Sequence, residues 1–109
     1  MKGKSFIHKN AIRDIAILSA LNCYGIVGMA PVNLIQRIEK ALGSSEATRG
    51  VEVNFLNGKF IIVYHIVVSK GINIKEVIKN LIEQAEFSFE KMIHIKPQIK
   101  VVVEEVKEE

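Results

Sequence analysis

The stretch Val51-Glu52-Val53-Asn54-Phe55-Leu56-Asn57-Gly58-Lys59-Phe60-Ile61-Ile62-Val63-Tyr64-His65-Ile66-Val67-Val68-Ser69 decides how the rest of the chain is read. Val51, Val53 and Phe55 alternate with Glu52 and Asn54, the period-2 pattern of a strand with one covered face. Asn57-Gly58 supplies the residue pair that a two-residue type I' turn favours, so a hairpin is expected. The return arm, Lys59 to Ser69, is apolar on both faces and rich in β-branched and aromatic residues, which predicts a central or doubly covered strand. If Phe60, Ile62, Tyr64, Ile66 and Val68 face the core, then Ile61, Val63, His65 and Val67 face the other way. Apolar residues outside a small sheet favour covering by another chain, so this row is a candidate interaction surface.

Toward the C-terminus, Gly71 ends the strand and Asn73 with Glu76 forms a capping-box-like start to the longest helix, which is expected to reach about His94. Ile74, Val77, Ile78, Leu81, Ile82, Ala85, Phe89 and Met92 fall on one stripe, with Lys75, Lys79, Glu83, Glu86 and Glu90 off it. Phe87 points away from that stripe, which makes it a second candidate contact. Pro97 stops the helix; Ile99, Val101 and Val103 alternate in a last strand, and an acidic tail at 105–109 is expected to fray.

Toward the N-terminus, Arg49-Gly50 precedes the hairpin, and Ser44 to Thr48 reads as a mobile loop. Pro31 suits the first turn of a short helix carrying Leu34, Ile35, Ile38 and Leu42, with Gly43 as its stop. Before it, Cys23-Tyr24-Gly25-Ile26-Val27-Gly28-Met29-Ala30 reads as a sharp bend held against the core, with Ile26 and Val27 buried between two glycines. Asn10 can cap a largely apolar helix from Ala11 to Asn22, and Phe6-Ile7 could make a first strand. Helices and strands in this order predict an α+β two-layer sandwich: a mixed three- to four-stranded sheet with helices packed on one face. If the last two strands are parallel, their crossover through the long helix should be right-handed.

The 109 residues, 49% hydrophobic, suit one domain spanning 1–109. No apolar run is long enough to span a membrane, and Met1 to Ser5 leads into a polar stretch instead of a signal-peptide core, so a cytoplasmic protein without direct membrane insertion is expected. The net charge of +3 is uneven, with a basic front half and an acidic C-terminus; this speaks to solubility and weak steering more than to a partner.

Chemistry-bearing groups are sparse. Cys23 is the only cysteine, which excludes an intrachain disulfide and a cysteine-based zinc site, and its apolar setting suits a small buried hydrophobe better than a nucleophile. His8, His65 and His94 are scattered without ligand spacing, so no metal or cofactor is expected. The carboxylates lie on solvated faces, and no Gly-Lys-Ser/Thr phosphate loop occurs. The alternative to a protein-interaction role is a small KH-like nucleic-acid-binding module, since Gly25-Ile26-Val27-Gly28 matches the GXXG clamp. Its middle residues are apolar and lack a nearby Lys or Arg, so nucleic acid is disfavoured.

Cys23 to Ala30, Arg49-Gly50-Val51, Tyr64 to Val68-Ser69-Lys70-Gly71 and Ile74-Lys75-Glu76-Val77 together resemble the alkaline shock protein 23 family of bacterial envelope stress response proteins, from about Gly3 to Val106. The chain is most similar to the short, housekeeping-type members. The resemblance implies a non-enzymatic role in cell-envelope homeostasis and stress tolerance. It also implies self-association as a homo-oligomer and, in some members, contact with the membrane through a membrane-anchored protein partner. Tyr24, Gly25, Ile26, Gly28, Met29, Arg49, Gly50 and Gly71 carry over as structural or interaction positions. Two departures stand out. Gly3-Lys4-Ser5-Phe6-Ile7-His8 replaces a Gly-x-Ile-x-Ile-Ser entry to the first helix, and Ile61 and Val63 stand where relatives tend to place polar residues.

Overall fold

The computed structural model describes residues 9–30 and 50–108. Two helices pack on one face of a mixed four-stranded sheet, the α+β arrangement expected. In chain order the elements are α1 (Lys9–Leu21), β1 (Ile26–Met29), β2 (Val51–Leu56), β3 (Lys59–Ser69), α2 (Ile74–Ile93) and β4 (Gln98–Lys107). The expected strand at Phe6-Ile7, the short helix after Pro31, the Ser44 to Thr48 loop and Arg49 lie outside the described residues.

β3 is the axis of the sheet. β4 runs parallel along one edge of it, from Ile61 opposite Gln98 to Ser69 opposite Lys107. Two strands share the other edge, both antiparallel: β2 covers Lys59 to Tyr64 and β1 covers Ile66 to Val68. They meet end to end at His65, whose carbonyl accepts the Ala30 N–H at 3.0 Å and whose N–H donates to the Gly50 carbonyl at 2.7 Å. A central strand paired on both edges satisfies its main chain along its whole length, which is why β3 tolerates apolar side chains on both faces.

The hairpin turn follows from its two residues. Asn57 and Gly58 both have positive φ, 54° and 76°, as a type I' turn demands, and the register brings Leu56 opposite Lys59. On the inner face Ile62, Tyr64, Ile66 and Val68 are fully buried. They meet Ile12, Ile15, Ala16 and Ala20 of α1 and Val77, Leu81, Ala85 and Phe89 of α2 in one core. Tyr64 reaches through this layer and donates its hydroxyl to the Ala16 carbonyl at 3.0 Å, satisfying a phenol buried in the core.

α2 starts where expected: the Asn73 side chain accepts the Glu76 N–H at 3.2 Å. It ends on His94 in the left-handed region, with the His94 N–H on the Glu90 carbonyl and the Ile95 N–H on that of Phe89.

Several expectations are corrected. The segment Ile26–Met29, expected to be a bend, is a strand paired with the end of β3. A bulge at Val27, where Ile26 faces Val68 and Gly28 faces Val67, turns Val27 outward, so it is 47% exposed while Ile26 is buried. Only Gly25 of the two glycines has positive φ. Phe55 is exposed instead of facing the helices in the core, its ring tilted against that of Phe60. Met92 is exposed, and Ile93 packs on the core in its place. The tail does not fray from residue 105: Glu105, Val106 and Lys107 pair with Val67, Val68 and Ser69.

Candidate functional site

His65 is the point at which the outer sheet face acquires polar structure. The Asn57-Gly58 turn sets the register that puts Glu52 opposite Val63, beside His65 on the same face. On the other side the β3–β4 register shifts between Ile66 and Val67, so that Val103 faces Ile66 and Glu105 faces Val67. Glu104 is the extra residue of this bulge, and its carboxylate is brought back over His65. The outcome is a bridge across three strands: Glu52 Oε2 lies 2.7 Å from His65 Nε2, and Glu104 Oε2 lies 2.6 Å from Nδ1.

A neutral imidazole has one N–H and one lone pair, so it can serve only one of two facing carboxylates. The protonated ring serves both. Burial alone opposes the charged ring, whose side chain is 12% exposed, but hydrogen bonds and charge from Glu104 and Glu52 outweigh it and hold the His65 pKa above its ordinary 6.5. The cluster therefore favours the imidazolium, which can donate to both carboxylates at once. Among the described residues no group of His, Cys, Asp and Glu is disposed to hold a metal ion.

Around this cluster Ile61 and Val63 are half-buried, while Val67 is buried between Gly28 of β1 and Glu105 of β4. Phe87 is 62% exposed on the solvent side of α2, with Lys91 Nζ 5.6 Å from its ring centroid. The two candidate contacts thus belong to opposite layers: the structure does not bring Phe87 together with Ile61, Val63 and His65.

The remaining sequence-picked positions fall into two groups. Tyr24, 82% exposed, and Gly71 line a shallow cavity of about 310 Å³ at the start of α2, and Gly25 sits behind it against Val77 and Ile72. Met29 and Gly50 meet at the junction of β1 and β2, where a Cβ on Gly50 would lie 2.5 Å from Met29 Cβ. A Cβ on Gly28, at the β1 bulge, would meet nothing within 4 Å among the described residues. Because Gly25-Ile26-Val27-Gly28 runs into a paired strand, it is not a clamp loop between two helices.

Glu52 and Glu104 escaped the sequence reading. The hairpin register alone could have placed Glu52, but Glu104 depends on a bulge that no local pattern announces. Cys23 is buried, its thiol set toward the Ser19 carbonyl at 3.4 Å, and desolvation raises its pKa. It stays a protonated, shielded thiol, the opposite of an activated nucleophile.

These features define a small α+β protein whose outer sheet face carries a closed Glu52–His65–Glu104 cluster. The chain belongs to the alkaline shock protein 23 family: the family profile, described as having a cell envelope-related function, matches residues 1–108. It is 33% identical over 92 residues to a Bacillus subtilis (strain 168) protein described as uncharacterized protein YloU, an alignment that covers 84% of this chain and 77% of that protein. No solved structure matches. Membership brings a stress-response family identity and a non-catalytic, envelope-related role. No helix among the described residues is long and apolar enough to cross a membrane.

Proposed function

We propose that this protein serves the cell envelope by protein contacts: it self-associates in the cytoplasm and reaches the membrane through a membrane-anchored protein partner. The observation that carries this reading is the outer face of β3, where Ile61 and Val63 stay half-exposed beside the His65 cluster on a strand otherwise fully engaged. Exposed apolar area next to ordered charge is the composition of a contact patch, with the apolar part contributing affinity and the charges orientation. Phe87, with Lys91 beside it, offers a separate contact on the helical side.

The test has two parts. Purified protein is expected to exceed monomer mass in light scattering, with Val63→Lys lowering that mass while circular dichroism stays unchanged. Affinity capture from membrane and cytosolic fractions is expected to recover a specific membrane protein, and Phe87→Glu or Val63→Lys should weaken that recovery. A monomer at all concentrations that recovers only RNA would overturn the reading in favour of a nucleic-acid binder.

A further inference from the structure

β4 is ten residues long, and among the described residues it pairs only with β3. Its second edge is a row of main-chain donors and acceptors, a template for another strand. The register with β3 sorts its side chains. Lys100 and Val102 lie with Val63 and His65 on the outer face, and Val101 and Val103 lie with Tyr64 and Ile66 on the core face. Glu104, through its bond to His65, also lies on the outer face.

A strand of the same sequence can join this edge antiparallel about a two-fold axis, with residues of like face opposite one another from Lys100 to Glu104, where the bulge ends the match. The charges choose among the possible registers. Centred on Lys100 or on Glu104, the pairing sets like charge against like. Centred on Val101, Lys100 meets Val102; centred on Val103, Lys100 falls opposite Val106, which the bulge has turned to the core face with Val68. Only the register centred on Val102 places Lys100 of each chain opposite Glu104 of the other, twice by symmetry, with Val102 against Val102 between them and Val101 against Val103 on the core face. Cross-strand pairs of opposite charge and of β-branched residues are both favourable.

We infer that β4 pairs with β4 of a second copy in this register, joining the two sheets edge to edge. The inference rests on the self-association proposed above and names its surface. It also accounts for charged residues and a bulge on an edge strand. Lys100, Glu104 and the bulge turn away strands of unrelated sequence, and their charges become complementary only against themselves.

Charge exchange tests this. K100E and E104K each place like charges opposite in a homodimer, so each alone should self-associate about tenfold more weakly or worse, as read by sedimentation velocity. Mixed together, they restore every Lys–Glu pair and should form a heterodimer of wild-type affinity. Val102→Cys supplies a readout that leaves the charges intact: under mild oxidation with diamide it should link two chains, whereas Gln98→Cys should not. If wild type self-associates but the charge variants match it and Val102→Cys stays unlinked, the β4 pairing is wrong and self-association uses another surface. If wild type is monomeric even at millimolar concentration, both readings fail together.

Discussion

His65 binds its proton more tightly in the folded chain than in the unfolded one, and this sets the sign of its effect on stability. A raised folded-state pKa means that the contribution of the cluster is whole below the ordinary imidazole value of 6.5 and is lost as pH climbs through the raised value. The urea midpoint of wild type should therefore exceed that of His65→Gln at about pH 6, and the gap should narrow as pH rises through the raised value; a gap that does not change as pH rises would contradict the preference for the imidazolium. The glycines give a second contrast. Gly50 has a φ of 83° and faces Met29 Cβ, so Gly50→Ala should cost about 1–3 kcal/mol or more. Gly28 has no positive φ and no close neighbour for a Cβ among the described residues, so Gly28→Ala should stay within about 1 kcal/mol of wild type in chemical denaturation. From sequence the two glycines of the Gly25 to Gly28 segment looked alike. They differ because strain depends on what packs against each position, here Ile72 and Val77 at the start of α2 against Gly25 and, among the described residues, nothing against Gly28.

At the level of elements, α2 and the hairpin were legible because their signals are local. A cap three residues before Glu76 and a turn pair at Asn57-Gly58 act within one turn of chain, and both are present as expected. Asn73→Ala should cost about 1 kcal/mol, read as a lower thermal midpoint with helix content retained. β1 was not legible, since four residues containing a glycine form a strand only when β3 offers an edge some forty positions away. The same holds for the Glu104 bulge. The joint between α1 and the sheet is also long-range: Tyr64→Phe removes the bond to the Ala16 carbonyl and should cost about 0.5–1.5 kcal/mol in urea denaturation with the fold unchanged.

For the whole molecule, the helical layer and the outer sheet face are separate surfaces. Val63→Lys and Phe87→Glu should therefore act independently, and the double variant should show the sum of their effects on partner capture within experimental error. The shared edge of β3 has a consequence for the order in which the chain folds. β2 is joined to β3 by a two-residue turn and can zip onto it at once, whereas β1 must close a loop that includes the rest of the hairpin before it reaches Ile66 to Val68. Until it does, that end of the edge stands open with Ile66, Val67 and Val68 along it, an apolar template for a second unfinished chain. Docking of β1 is thus expected to be a late event that ends a period of aggregation risk. Amides of Ile26 to Met29 should exchange with solvent sooner than those of Val51 to Phe55, and dilute refolding should give higher yields than concentrated refolding.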